Sequence, residues 1–492
     1  MLPLSVSTNS SQTHDSLRMP PTLRRSCAAC AKYKHSCDLR TPRCSRCIKR
    51  KVPCVYANEP LTAPPPRPKD NSSLHPFDGL GTLTGYRFGS LDPFESYPPT
   101  RLPRGHVQRL IHSFLHKIAF QYYPLDLNAS SNPFLVSWWP LALGDPALFH
   151  VSLQTACLDE ELLAQKGFHA SEILMADSVA LLRRKVEDPL LAVQDGTMNS
   201  VITLAAIEFG KGNIKISQMH VDGVTKLVSI RGGINSVRET SPLTARMVSW
   251  VSMLVMGHPQ FNTQDDVGIG DGIPPIPEWQ LDSPGIHDCP ISGICLDYEV
   301  TNVFIRLRNA FDRAQRIPFS NTQLHDLTCF VIHRLLLSAP DATGAPLSSP
   351  MTECIRDGII LYMFIIHGPT YYSHDVIMNT IVVRLIDNLT LEYTPAQHDS
   401  LNIWFLAIGM VASNHRPQYR WFVERAQAIS TSLLLNNWDD ALVHIKRILW
   451  LETDMVENIF RPHWDTIVIP CQPWLNDAHS VPKIPGYLTI QD

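Results

Sequence analysis

Residues 24–56 read RRSCAACAKYKHSCDLRTPRCSRCIKRKVPCVY. This stretch holds half of the chain's twelve cysteines, namely Cys27, Cys30, Cys37, Cys44, Cys47 and Cys54. The spacing C-x2-C-x6-C occurs twice, and the second copy follows the first by 17 residues, from 27 to 44, 30 to 47 and 37 to 54. The repeat predicts two copies of one metal-binding unit.

The cysteine spacing favours zinc over disulfide bonds. Two cysteines separated by two residues form the short chelate typical of structural zinc sites. Two tetrahedral ions need eight ligand positions, and six thiolates fill eight only if two of them bridge both ions. A segment this short buries little apolar surface, so metal binding must supply its folding free energy. Disulfides need an oxidising compartment, and the residues MLPLSVSTNSSQTHDS at the start lack the basic and apolar regions of a secretion signal.

The cysteine-rich segment resembles the binuclear zinc-cluster (Zn2Cys6) DNA-binding domain of fungal transcription regulators. The resemblance implies two zinc ions that are bridged by the first and fourth cysteines, Cys27 and Cys44. It assigns the remaining ligands as Cys30 and Cys37 for one ion, and Cys47 and Cys54 for the other. It also implies a short helix in each repeat, one starting near Cys30 and one near Cys47.

The same resemblance implies how the segment binds double-stranded DNA. The first helix would enter the major groove, where Lys34 would donate hydrogen bonds to base edges of short CGG-like triplets. Other basic residues would contact phosphates, which sets the register without reading sequence: Lys32, Arg46, Lys49, Arg50 and Lys51. Tyr33 has two interpretations, a contact along the DNA backbone or a ring packed on the small domain.

The residue after the second cysteine departs from many family members, which carry Arg or Lys there. This chain has Ala31 at that position, and Lys34 lies four residues past Cys30. The combination is similar to the branch that regulates fungal secondary-metabolite pathways, of which the aflatoxin regulator is the best-known member. It therefore predicts control of a biosynthetic gene cluster.

The charge distribution agrees with a nucleic-acid contact. The whole chain has a formal net charge of −4, which taken alone argues against a nucleic-acid binder. Ten Lys and Arg residues against Asp38 alone give residues 24–56 a charge of +9, so the remainder carries −13. A compact basic module beside an acidic body is the pattern of phosphate binding.

Composition divides the 492 residues into five segments. Residues 1–22 are polar and rich in Ser and Thr, which predicts a disordered tail before a cluster domain at 23–56. Residues 57–92 are rich in Pro and Gly, which predicts a disordered linker without the heptads of a coiled coil. Residues 93–470 are predicted to form a helical body, and residues 471–492 an irregular tail.

The body shows helical periodicity and little strand alternation, so we predict a large all-α regulatory domain. Apolar residues recur at three-to-four spacing from Val107 to Ile118, which predicts an amphipathic helix ending before Pro124. Residues 257–293 are rich in Pro, Gly and Asp, which predicts a long loop that is disordered in part. Further helices are predicted near 145–165, 169–187, 195–210, 214–230, 241–256, 297–315, 322–337, 351–366, 376–391, 397–413, 418–434 and 438–460.

A second resemblance concerns this body. The stretches 132–134, 138–142 and 227–233 resemble the fungal-specific transcription factor regulatory domain, which in that family is a helical array. The body contains no H-E-x-x-H, G-x-S-x-G, Walker or G-x-G-x-x-G motif, so we predict that the chain is not an enzyme. No window approaches 18 uninterrupted apolar residues, so we predict no membrane span.

Together these observations predict a nuclear, zinc-dependent regulator of RNA polymerase II genes that binds DNA and contacts the transcription machinery or co-regulators. A homodimer is compatible with this role, and the sequence leaves its basis open. The alternative is a helical interaction or metabolite-sensing protein in which the cluster is only a weak DNA anchor. A zinc enzyme is disfavoured, because a closed all-cysteine site leaves no open coordination position.

Overall fold

The computed structural model describes residues 27–37, 44–54, 97–121, 127–165, 167–281, 290–291, 293–339, 349–392 and 398–468. The chain divides into two compact units, Met1–Pro93 and Phe94–Asp492. The predicted tails at 1–22 and 471–492 and the predicted linker at 57–92 lie outside the described residues.

Helices make up the regular structure of both units within these ranges. The small unit contains α1 Ala28–Lys32 and α2 Ser45–Arg50. The large unit contains α3 Arg104–Ser113, α4 Ala119–Gln121, α5 Trp139–Gly144, α6 Pro146–Ala164, α7 His169–Glu187, α8 Pro189–Ala192, α9 Asp195–Gly210, α10 Ile214–Ile230, α11 Ile234–Thr240, α12 Pro242–Met256, α13 Tyr298–Ala314, α14 Asn321–Leu337, α15 Pro350–His367, α16 Asp375–Glu392, α17 Asp399–Ala412, α18 Gln418–Leu433, α19 Trp438–Ile448 and α20 Asp454–Val468. The predicted combination of a cysteine cluster and an all-α body is confirmed. Among the described helices, none has the length and apolar composition needed to span a bilayer.

Local sequence signals account for several helix ends. Asp145 caps α6 by accepting hydrogen bonds from the N–H groups of Ala147 and Leu148. Ser320 and Gln323 form a capping box at the start of α14. Gly233 has φ 94°, a left-handed conformation that a residue with a Cβ avoids, and the chain leaves α10 just before it.

Two π-helical turns, Phe114–Ile118 and Phe134–Trp138, widen the first helices of the large unit. The N–H of Ala119 bonds to the carbonyl of Phe114, five residues back, and the N–H of Trp139 bonds to that of Phe134. The helix predicted from Val107 is therefore present, but it carries one extra residue in its widened turn. The second turn leads into α5, which the sequence analysis missed.

The core of the large unit centres on α15, which packs against α13, α14, α16 and α17. Every residue of α15 from Cys354 to His367 is buried. Gly358 permits α17 to approach closely, because a Cβ at this position would lie 2.6 Å from the indole ring of Trp404. The almost continuous apolar sequence of α15 is explained by neighbours on all its faces.

The prediction of one helix over 438–460 is wrong. The chain forms α19 and α20 with a break at 449–453, where Leu449 is extended at φ −152° and ψ 120°. Leu449, Trp450 and Leu451 are all buried, and three successive apolar residues cannot share one face of a helix. Two buried side chains bond backbone groups that the break leaves outside the helices: the indole of Trp404 donates to the Leu449 carbonyl (2.9 Å), and the hydroxyl of Tyr362 accepts from the Leu451 N–H (2.8 Å).

The described part of the predicted long loop, 257–281, is more ordered than the sequence suggests. The half-buried carboxylate of Asp266 accepts hydrogen bonds from the indole of Trp279 (2.9 Å) and the amide of Asn302 (2.7 Å). Arg334 adds an ion pair to the same carboxylate at 3.0 Å. These partners come from separate parts of the chain, so composition alone could not reveal them.

A group of buried histidines lies beside α12, α14 and α15. His325 and His367 share a 2.9 Å hydrogen bond between their rings, and the ring of Trp250 stacks on His367 at 4.7 Å. Burial lowers the pKa of His367 to about 3 and the pKa of His333 to about 4, and it lowers that of His325 well below its usual value. These side chains are therefore neutral in the folded protein at neutral pH.

We expect the free energy of unfolding to fall as the pH drops below 6.5. The unfolded chain binds protons at its ordinary histidine pKa of about 6.5, and the folded chain does not until pH approaches 4, so each such histidine contributes a slope of up to about 1.4 kcal/mol per pH unit. Urea unfolding of the full chain at pH 7 and pH 5.5, followed by tryptophan fluorescence, measures this slope, and the small unit contains no tryptophan. His333→Gln should flatten the slope, whereas the exposed His258→Gln should not. Equal slopes in both variants would contradict the assignment.

Candidate metal centre and nucleic-acid interface

The sulfur atoms of the six cysteines form two overlapping groups of four. One group is Cys27, Cys30, Cys37 and Cys44, and the other is Cys27, Cys44, Cys47 and Cys54; within each, all Sγ atoms lie within 4.8 Å of one another. Cys27 and Cys44 belong to both groups. Two tetrahedral sites that share a pair of sulfurs therefore account for the whole set.

The distances between sulfurs suit zinc and exclude disulfides. Sγ of Cys27 lies 3.8 Å from that of Cys44 and 3.6 Å from that of Cys47, and the sulfurs of Cys30 and Cys44 are 3.7 Å apart. Four thiolates around one tetrahedral zinc, each about 2.3 Å from the ion, lie about 3.8 Å from one another. A disulfide would need about 2.05 Å, and none of these six cysteines is part of a disulfide.

The fold of the small unit places the first cysteine of each repeat at a helix start. Sγ of Cys27 accepts a hydrogen bond from the Cys30 N–H at 3.3 Å, and Sγ of Cys44 accepts one from the Cys47 N–H at 3.4 Å. The helices thus begin at Ala28 and Ser45. The two predicted short helices are present and start two residues before Cys30 and Cys47, because the sulfur of the first cysteine in each repeat acts as the cap.

Because these sulfurs are buried, their thiolate forms are unfavourable unless a cation lies beside them. Cys27, Cys30, Cys44 and Cys47 are at most 3% exposed. Burial raises the pKa of the Cys30 thiol to about 12 and also raises that of Cys47, so without a cation these groups stay protonated. A divalent ion compensates the thiolate charge, so metal binding should release protons.

The two helices end in the same way. Lys34 and Lys51 both adopt the left-handed conformation, at φ 51° and 53°. The following residue closes each helix by a backbone hydrogen bond, from the His35 N–H to Cys30 (2.9 Å) and from the Val52 N–H to Cys47 (3.2 Å). This is the Schellman-type ending, and it turns the chain toward the third cysteine of each repeat.

All predicted DNA-contact residues lie on the surface of the small unit. Their side chains are exposed: Lys32, Lys34, Arg46, Lys49, Arg50 and Lys51. Tyr33 is 55% exposed, with the ammonium of Lys32 5.8 Å and the guanidinium of Arg50 5.9 Å from its ring centre. Its ring is thus not part of the buried centre, and it lies within the basic surface. The sequence analysis missed this contact between the repeats, although the 17-residue shift pairs Tyr33 with Arg50.

Comparison with known families agrees with this geometry. Residues 25–63 match the family described as fungal Zn(2)-Cys(6) binuclear cluster domain, which binds two zinc ions. Residues 109–258 match the family described as fungal specific transcription factor domain. The two resemblances noted in the sequence are confirmed.

Individual relatives match over short stretches. The chain is 40% identical over 55 residues to the transcriptional regulator alnR of Emericella nidulans, covering 11% of this chain and 14% of that protein. It is 45% identical over 38 residues to the transcription factor gsfR2 of Penicillium aethiopicum (8% and 9%). It is 37% identical over 78 residues to the transcription factor pgmR of Aspergillus terreus (13% and 42%). The chain thus spans less than half the length of each of these relatives, and no solved structure matches it.

Proposed function

Because the chain carries both the fungal Zn(2)-Cys(6) binuclear cluster domain and the fungal specific transcription factor domain, we propose that it is a zinc-dependent, sequence-specific DNA-binding regulator of RNA polymerase II genes. Both domains belong to transcription factors, which are not enzymes. The observation that carries the proposal is the pair of overlapping four-sulfur groups beside an exposed basic surface.

In this proposal the six cysteines hold two zinc ions. Cys27 and Cys44 bridge the ions, since they alone among the six belong to both four-sulfur groups. Cys30 and Cys37 complete one site, and Cys47 and Cys54 complete the other. The ions supply rigidity and charge compensation, and the chain itself supplies the basic surface.

Lys34 is the proposed base-reading residue. It is exposed at the end of α1, and its left-handed backbone is held by the hydrogen bond that closes the helix. A lysine on a rigid helix end can present its ammonium to guanine O6 and N7 in the major groove, in CGG-like sites. Lys32, Arg46, Lys49 and Arg50 would neutralise phosphates and determine affinity rather than specificity.

The biological setting is also part of the proposal. We place the protein in the nucleus, where its DNA target lies, and we propose that the acidic body contacts co-regulators or a second copy of the chain. The combination of Ala31 and Lys34 supports a role in controlling a secondary-metabolite gene cluster. The three relatives named above carry the designation of transcription regulator or transcription factor, which supports the regulatory role.

Two cavities of the body give little support to the metabolite-sensing alternative, because both are much smaller than a usual metabolite pocket. The cavity beside Arg238, Arg246 and Asp326 has a volume of about 10 Å³, and the one between Phe311 and Trp450 has about 70 Å³. Pockets for small organic ligands usually measure about 300–1,000 Å³. The first cavity has room for about one water molecule.

Binding of the full chain to a labelled CGG-containing duplex tests the proposal. We expect affinity to fall steeply with salt, because phosphate contacts release counterions. Lys34→Ala should weaken binding to the preferred sequence by about 1–3 kcal/mol, whereas the exposed body variant Lys215→Ala should not.

Two results would contradict the proposal. One is a zinc content other than two ions per chain. The other is an affinity for duplex DNA that does not change between low and moderate salt.

A further inference from the structure

We infer that His112 and His116 form a two-histidine binding site for a divalent metal ion that prefers square-planar or octahedral nitrogen ligands, such as Ni(II) or Cu(II). The site lies in the large unit, on the helix that begins at Arg104, and it shares no residue with the six-cysteine centre. It is therefore independent of the proposed DNA-binding function.

The first support is the placement of the two histidines on one helix. His112 lies in the last turn of α3, and His116 lies four residues later, in the π-helical turn Phe114–Ile118 that continues it. Side chains at positions i and i+4 lie next to each other on one face of a helix, and histidine pairs with this spacing chelate metal ions. Both side chains are exposed, so an ion can reach them together with its remaining water ligands.

The second support is the distance between the two rings. The ring centroids of His112 and His116 lie 4.3 Å apart, and the ring planes are inclined by 40°. With metal–nitrogen bonds of about 2.0 Å, two imidazole centroids lie about 4.4 Å apart at a right angle and about 5.1 Å apart in a tetrahedral site. The observed distance fits the right angle, so the pair suits Ni(II) or Cu(II) better than tetrahedral Zn(II).

The third support is the fixed backbone beneath the two rings. Ile111, Phe114 and Ile118 are at most 3% exposed, and both α3 and its π-helical turn pack against α6. The backbone positions of both ligands are therefore held by the core of the large unit. A site on such a helix needs little reorganisation when the ion binds.

The surroundings leave both rings available as ligands. Within the described part of the chain, neither ring has a hydrogen-bond or ion-pair partner, so binding an ion breaks no existing contact there. Each neutral imidazole offers one nitrogen lone pair to a metal. The ammonium of Lys117 is paired with Asp159 at 2.5 Å, and Arg109 is exposed to water, which screens its charge. These cations therefore oppose metal binding only weakly.

Titration of the full chain with Ni(II), measured by isothermal titration calorimetry, tests the inference. Ni(II) is the probe because Cu(II) promotes oxidation of cysteine thiols, of which the chain has twelve. The variants are His112→Gln, His116→Gln and the double variant, and His258→Gln removes an exposed histidine elsewhere in the large unit as the matched control. Zinc content is measured in every sample, so that exchange at the cysteines is counted separately.

We expect either single substitution to weaken Ni(II) binding by about 100-fold, because linking two ligands raises affinity by roughly 10²–10⁴. The double variant should bind hardly more weakly than a single one, since one remaining imidazole cannot chelate. His258→Gln should bind like the unaltered protein. Ni(II) should also raise the urea concentration at the midpoint of unfolding of the unaltered protein, and this shift should be absent in His116→Gln.

Two results would overturn the inference. Equal Ni(II) affinity in the unaltered protein and in both single variants would mean that any binding is adventitious and occurs at other residues. Losses that simply add in the double variant would mean that the two rings bind ions separately rather than sharing one.

Discussion

Cys27→Ser is expected to remove both zinc ions and to lower the affinity for DNA by at least about 100-fold. The sulfur of Cys27 belongs to both four-sulfur groups, so its loss leaves neither ion with four thiolates. Structural zinc sites contribute about 10–16 kcal/mol to the folding of small domains, and this unit has little apolar core to replace that contribution. The described core of the small unit consists of Cys27, Cys30, Cys44 and Cys47, with partly buried Ala29, Cys37, Val52 and Cys54 around it.

Two controls make the Cys27→Ser result specific. Cys37 belongs to one four-sulfur group, so Cys37→Ser should retain more zinc than Cys27→Ser. Cys295 is an exposed cysteine of the large unit, and Cys295→Ser should retain both ions. Zinc is measured by atomic emission, DNA affinity by fluorescence anisotropy, and helix content by circular dichroism. A Cys27→Ser protein that keeps two zinc ions would show that this sulfur is not a bridge.

Gly409→Ala is expected to destabilise the large unit by about 2 kcal/mol. Gly409 lies in α17, and a Cβ there would overlap the ring of Phe422 from α18, which is fully buried. Replacing glycine by alanine in a helix normally stabilises it by about 1 kcal/mol, but overpacking a filled core costs about 1–3 kcal/mol and occasionally more. The overlap involves the body of an aromatic ring with no space to move, so the steric cost should exceed the gain in helix propensity.

Gly105→Ala provides the control for this substitution. Gly105 lies in α3 with nothing within 4 Å of its added Cβ, so the change should be neutral or stabilising by up to about 1 kcal/mol. Urea unfolding followed by tryptophan fluorescence compares the two. Equal stability of Gly409→Ala and the unaltered protein would mean that α17 and α18 are farther apart than the structure shows.

The spacing of the cysteines predicts the centre of the small unit because metal chelation depends mainly on which residues carry thiolates and how far apart they are. The helix starts are harder to predict, since Cys27 and Cys44 act as caps through sulfur, a role that standard capping patterns assign to Ser, Thr, Asp and Asn. The left-handed backbone conformation of Lys34 and Lys51 is also hard to predict from sequence, because glycine is the residue expected at such positions.

In the large unit, hydrophobic periodicity predicts most long helices. It fails where contacts between residues distant in sequence determine the backbone conformation. The break between α19 and α20 depends on Trp404 and Tyr362, which lie far from it in sequence. The order of the loop around Asp266 depends on Asn302 and Arg334 in the same way. The missed helix α5 is short and has Pro140 in its first turn, a position where proline is tolerated.

The π-helical turn at Phe134–Trp138 has a consequence for how this domain can change in length during evolution. Such a turn is equivalent to an α-helix with a single inserted residue, so deleting one residue there would restore ordinary winding rather than break the helix. The widened turn takes up the extra residue locally, so the residues before and after it would keep their relative orientation. Trp139 would therefore stay near Phe114 and Phe149, which it now contacts at 5.4 Å and 5.9 Å. Homologues that lack this residue should accordingly keep large apolar side chains at the positions of these three aromatic residues.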